Sequence, residues 1–155
     1  MYLIEGQPGS GKTTLALEFL LEGVRGGEPT LYITLSETER ELRLVAKRHG
    51  WSLKGITIFE LVAPETSLDP SQELTVLRPA EMELSETTQL IFDRVEDLAP
   101  RRIVLDSLSE LRLLAQSPLR YRRQILALKH FFSGRQTDET LTTIAESAVN
   151  IQAAA

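Results

Sequence analysis

Gly6-Gln7-Pro8-Gly9-Ser10-Gly11-Lys12-Thr13-Thr14 decides how this 155-residue chain is read. The stretch satisfies G-x-x-x-x-G-K-[ST]. It lies where the apolar run Tyr2-Leu3-Ile4 gives way to Leu17, Leu20, Leu21 and Val24 at helical spacing, before Gly26-Gly27 stops the helix. Strand, glycine-rich turn and helix in that order make a phosphate cradle. Glycines let the backbone reach φ values closed to other residues and bring N–H groups close around an anion. Lys12 offers a point charge for β- and γ-phosphates, Thr13 a hydroxyl for Mg²⁺, and the helix directs its positive end at the phosphates. Residues 6–14 are therefore the expected binding stretch for a nucleoside triphosphate.

Working outward, Thr30-Leu31-Tyr32-Ile33-Thr34-Leu35 reads as a strand buried on both faces. Ser36 through Glu39 then looks like a capping box opening a polar helix that runs to His49-Gly50 and turns only Leu42, Val45 and Ala46 inward. Gly55 to Leu61 is a third strand. Pro64, Pro70 and Pro79 break up the long acidic connection that follows. Leu84, Thr88, Ile91, Val95 and Leu98 share one helical face, and Pro100 ends that helix. Arg101 to Asp106 is the fourth strand. Ser117-Pro118 caps a further helix with a stripe of Tyr121, Ile125, Leu128 and Phe132. Strands alternating with helices imply an α/β fold with a parallel sheet covered on both sides and ligands at the carboxyl ends of its strands. Gly6, Glu37 and Asp106 all fall at such ends.

Composition sets bounds. Residues 1–155 make about one domain with one sizeable core. A net charge of -5 gives no general attraction to nucleic acid or anionic membrane. The absence of cysteine removes disulfides and thiolate metal sites. No apolar run reaches the ~20 residues a membrane helix needs, and no signal peptide opens the chain, so a cytoplasmic protein is expected.

Asp106, after three apolar residues at a strand end, suits a carboxylate that holds Mg²⁺ through water opposite Thr13; the competing role is to cap the helix starting at Ser107. Glu37 can orient or deprotonate a water that attacks the γ-phosphate, or simply supply negative charge to a helix N-terminus. The cluster Arg120, Arg122, Arg123, Lys129 and His130 reads as the solvated face of an amphipathic helix, with a phosphate or nucleic-acid surface as the alternative. Trp51 is expected to pack under the end of the second helix, and His49 and His130 are too isolated for a metal site.

GQPGSGKTTLALEFLLEG, LYITLSETERELR and HGWSL, followed by RRIVLDSLSELRLL and LRYRRQILALKHFFSGRQ, resemble the KaiC-type branch of the RecA-like ATPases as far as Gln136. The resemblance implies a three-layer RecA-like P-loop core with a mostly parallel sheet, ATP with Mg²⁺, and ring-like homo-oligomers with nucleotide between neighbours. It assigns Lys12 and Thr13 to the phosphate loop, Asp106 to the Walker B strand, and the water-activating role to Glu37, with Lys12 and Mg²⁺ stabilising the developing charge. Family members often carry two adjacent glutamates where this chain has Ser36-Glu37. They normally also carry a leader before the first strand and an apolar strand after the FFSGRQ segment. Here Thr137 to Thr140 passes directly to Leu141-Thr142-Thr143-Ile144-Ala145, which resembles the family segment beyond that strand, so one late strand is expected to be missing.

Slow Mg²⁺-dependent ATP hydrolysis coupled to assembly or signalling is the leading expectation. The alternatives are a serine/threonine kinase of the KaiC kind, a non-enzymatic recombination or regulatory module that assembles with ATP and holds DNA through Arg120 to Lys129, and a small-metabolite kinase.

Overall fold

The computed structural model describes residues 2–61, 80–133 and 141–147, with the backbone alone at 80–83 and 141–147. Five parallel strands form one sheet: β1 (Tyr2–Gly6), β2 (Thr30–Thr34), β3 (Ile56–Glu60), β4 (Arg102–Asp106) and β5 (Leu141–Ser147), in the order β1-β5-β4-β2-β3. The helices are α1 (Lys12–Arg25), α2 (Glu39–Arg48), α3 (Ala80–Leu98), α4 (Leu108–Ala115) and α5 (Pro118–Ser133).

Side chains alternate across a strand, so β2 and β4 each serve two cores. Leu31, Ile33, Ile103 and Leu105 pack with Leu84, Ile91 and Val95 of α3, Leu108 and Leu111 of α4, and Leu128 and Phe132 of α5. Tyr32 and Val104 face the other way, among Leu17 and Leu20 of α1 and Leu42 and Ala46 of α2. A sheet between two helical layers results, the RecA-like arrangement. Tyr121 and Ile125 are partly buried against the first core, and Arg120, Arg122, Arg123, Lys129 and His130 are exposed, as an amphipathic α5 requires. The proline-rich connection at 62–79 lies outside the described residues.

Two readings are corrected. The box that opens α2 is built by Thr38, whose hydroxyl accepts from the Glu41 amide while the Glu41 carboxylate accepts from the Thr38 amide, and not by Ser36 and Glu39. Ser36 and Glu37 stay in the turn because the buried Thr34 hydroxyl bonds both the amide and the carbonyl of Glu37, which delays the helix. The second concerns Leu141–Ser147, which the likeness puts beyond the family's late strand. Its backbone pairs with β1 on one side, Tyr2 to Thr143, and with β4 on the other, Asp106 to Ala145. The β-branched run Thr142-Thr143-Ile144 suits a strand, and a ladder on both sides satisfies its backbone groups.

Candidate functional site

The turn from β1 into α1 contains Gly9 and Gly11 at φ 79° and 89°, where a side chain would be strained. Gly6 faces a different constraint: a Cβ there would lie 2.6 Å from the Ser10 hydroxyl. The Ser10 amide closes the turn on the Gln7 carbonyl at 3.1 Å. The N-cap Gly11 has no side chain with which to cap α1, so the first amides of the helix have no side-chain cap among the described residues. Lys12 Nζ donates to the carbonyls of Gly6 (2.8 Å) and Gln7 (2.9 Å), so the ammonium is held over the mouth of the cradle.

A cleft of about 410 Å³ opens at the carboxyl ends of the strands. Pro8, Gly9, Gly11, Lys12, Thr13 and Thr14 form one wall, and Ser36, Glu37 and Asp106 face them. Thus Lys12, Thr13, Glu37 and Asp106, scattered over 95 positions of sequence, line a single cavity. Val45, Arg48 and His49 close its far side. His49 Nε2 lies 3.5 Å from the Thr14 hydroxyl, and the His49 ring stacks on Trp51 at 4.7 Å. Trp51 also packs against the α1–α2 core, as expected.

The acidic wall is built around a residue that sequence reasoning passed over as a strand member. Tyr32 is wholly buried, and its hydroxyl donates to Asp106 Oδ2 at 2.7 Å. Register explains the contact. Tyr32 lies opposite Val104 and Thr34 opposite Asp106, so the phenol reaches the carboxylate diagonally across one face of the sheet. Thr13 also lies within bonding reach of that phenol. Burial raises the Tyr32 pKa, and the Asp106 charge raises it further, so the phenol stays a donor. Burial likewise raises Asp106 above the usual carboxylate range, while the Tyr32 hydrogen bond and the Lys12 charge pull it back. Glu37 is raised by its own burial, then by the charges of Asp106 and Glu41. Its Oε2 is buried with no hydrogen-bond partner among the described residues, an arrangement that a ligand, water or cation must relieve.

A hydroxyl and a carboxylate facing a cradle for phosphate oxygens form a hard, all-oxygen donor set, which suits Mg²⁺ completed by water. No group of three or more His, Cys, Asp or Glu residues with metal-ligand placement occurs among the described residues, and a site shared with phosphate and water needs none. No helix among the described residues is long and apolar enough to cross a membrane.

A family model described as the KaiC ATPase matches residues 1–154. The chain belongs to the KaiC ATPase family. Membership places it in the RecA-like, ATP-binding class. Among curated proteins it is 27% identical over 148 residues to a UPF0273 protein of Aeropyrum pernix, covering 91% of this chain and 58% of that protein. A UPF0273 protein of Pyrococcus horikoshii is 28% identical over 137 residues, covering 85% of this chain and 55% of the relative. The chain thus spans little more than half the length of these relatives. A solved KaiC-like protein of Pyrococcus horikoshii superimposes with a TM-score of 0.68 at 24% identity, over 98% of this chain and 64% of that one, which shows the fold.

Proposed function

We propose that the chain binds ATP with Mg²⁺ in this cleft and hydrolyses it slowly, with Glu37 taking the proton of the attacking water. One observation carries the reading: Lys12, Thr13, Glu37 and Asp106 line one cavity, and in it Glu37 has a buried oxygen with no partner among the described residues. The amides of residues 9–14 and Lys12 hold the phosphates, and Lys12 offsets charge on the terminal ones. Thr13 and Asp106 would hold Mg²⁺, which would supply further neutralisation of the phosphate charge. The Glu37 carboxylate accepts a proton from water as the water oxygen bonds to the γ-phosphorus. The bridging P–O bond breaks, and ADP leaves with its electron pair. A raised pKa makes Glu37 a better base than an ordinary carboxylate. Family membership supports ring-like homo-oligomers, in which turnover per subunit rises with protein concentration.

Calorimetric titration with ATP, with and without Mg²⁺, tests the binding; phosphate release across a concentration series with light scattering tests turnover and assembly. A wild-type chain that gives no nucleotide binding heat ends the reading. Label appearing on serine or threonine of the protein, instead of in free phosphate, replaces hydrolysis by a kinase activity.

A further inference from the structure

Resting on that reading, we infer that Tyr32 is a specificity-determining residue that makes the cation site select Mg²⁺ over Ca²⁺. The observation is the commitment of one Asp106 oxygen. Oδ2 accepts the Tyr32 hydroxyl at 2.7 Å, and both residues are buried, at 0% and 6% exposure. Tyr32 is fixed in turn by the α1–α2 core around its ring, so the phenol cannot swing away without opening that core. Oδ1 is then the oxygen that Asp106 offers most readily towards Thr13 and the cradle. It can ligate a cation singly or accept from a coordinated water, whereas chelation through both oxygens would have to compete with the phenol for Oδ2.

Mg²⁺ asks for that geometry: six positions, short bonds, and waters retained in most of them. Ca²⁺ takes six to eight oxygens in a looser shell and commonly gains from a carboxylate bound through both oxygens. A hydroxyl that occupies the second oxygen withholds the contact that would favour the larger ion. The phenol is aimed at Oδ2 from a ring that the core holds on every side, so the oxygen it occupies stays occupied.

The test compares ATP affinity supported by Mg²⁺ with that supported by Ca²⁺, measured calorimetrically in the wild type and in Tyr32→Phe. Outer partners of metal ligands commonly govern affinity by about 10- to 100-fold. The expected result is that Mg²⁺-supported affinity falls by about tenfold or more while Ca²⁺-supported affinity holds or rises, so the preference shrinks by at least that factor. Equal losses with both cations, or no loss, overturn the inference, because a purely structural tyrosine would not change the ratio. Should wild type bind ATP with neither cation, the ATPase reading itself fails; an unchanged ratio in a chain that binds ATP removes only the role of Tyr32. Where Tyr32→Phe does not fold, the unmutated protein decides. The Tyr32 hydroxyl proton should persist as a slowly exchanging NMR resonance after loading with Mg²⁺ and ATP, and its loss on loading overturns the inference.

Discussion

Thr34→Val should separate stability from turnover. The Thr34 hydroxyl donates to the Glu37 carbonyl at 2.7 Å and accepts from the Glu37 amide at 2.9 Å, and the residue is wholly buried. Valine replaces that oxygen with a methyl, whose comfortable contact distance is about 3.5 Å or more. The 36–37 turn must therefore move by roughly 0.5–1 Å, and two backbone groups lose their partner. Because the turn is only half-buried, water replaces part of the loss, and a cost of about 2 kcal/mol is expected. For a chain of this size that lowers Tm by roughly 4–8 °C. Displacement of a reacting group by about 1 Å costs on the order of 100-fold in rate, so kcat should fall about 10- to 100-fold, with KM little changed. Circular dichroism on heating and steady-state phosphate release measure the two effects. Thr34→Ser, which keeps the hydroxyl, should restore kcat. A folded Thr34→Val protein that keeps kcat within about twofold of wild type would refute the reasoning, since Glu37 would then owe its position to something else or take no part in the reaction.

Lys12→Ala removes charge-assisted contacts to phosphate and should weaken ATP binding by roughly 10- to 100-fold in calorimetry, with little change in Tm because the carbonyls it holds are only half-buried at Gly6 and exposed at Gln7, where water can take its place. Asp106→Asn should raise the Tm of the ligand-free chain at neutral pH while abolishing the extra stability that Mg²⁺ and ATP confer. The sign follows from a folded pKa raised above the unfolded value: the contribution of Asp106 to stability is fully present below the unfolded pKa and is lost as pH rises through the folded one. Glu37 is raised in the same direction, so the acid limb of kcat/KM should lie above the ordinary glutamate range, and Glu37→Gln should remove the limb and lower turnover by about 100-fold or more.

Local signals made much of this legible in the sequence. Residues 6–14 carry their own φ requirements and charge, and β2 and β4 are short apolar runs with an acid at or just beyond the carboxyl end, Glu37 after β2 and Asp106 at the end of β4. What stayed hidden depends on neighbours far away in the chain. The pairing of Tyr32 with Asp106 follows from the register of β2 against β4, which a single sequence does not state. Thr34 postpones the start of α2 through a bond to a backbone three residues on, a contest that Ser36 and Thr38 enter with nearly equal capping propensity. His49 and Arg48 enter the cleft because α2 ends beside α1, although nothing near them in sequence resembles a ligand site. The strand character of Leu141–Ser147 was readable in Thr142, Thr143 and Ile144; its place in the sheet was not.

The position of β5 sets an order of events during synthesis. The loop of residues 6–14 and the acid at 106 sit on strands that never touch, and the ribbon that joins them is the last described piece of the chain. Before residue 147 leaves the ribosome, the loop and the acid are related only through the packing of α1 on β2 and β4, and β1 has no partner strand among the described residues. A nascent chain stopped short of β5 should therefore hold the two walls of the cleft more loosely than the full chain does.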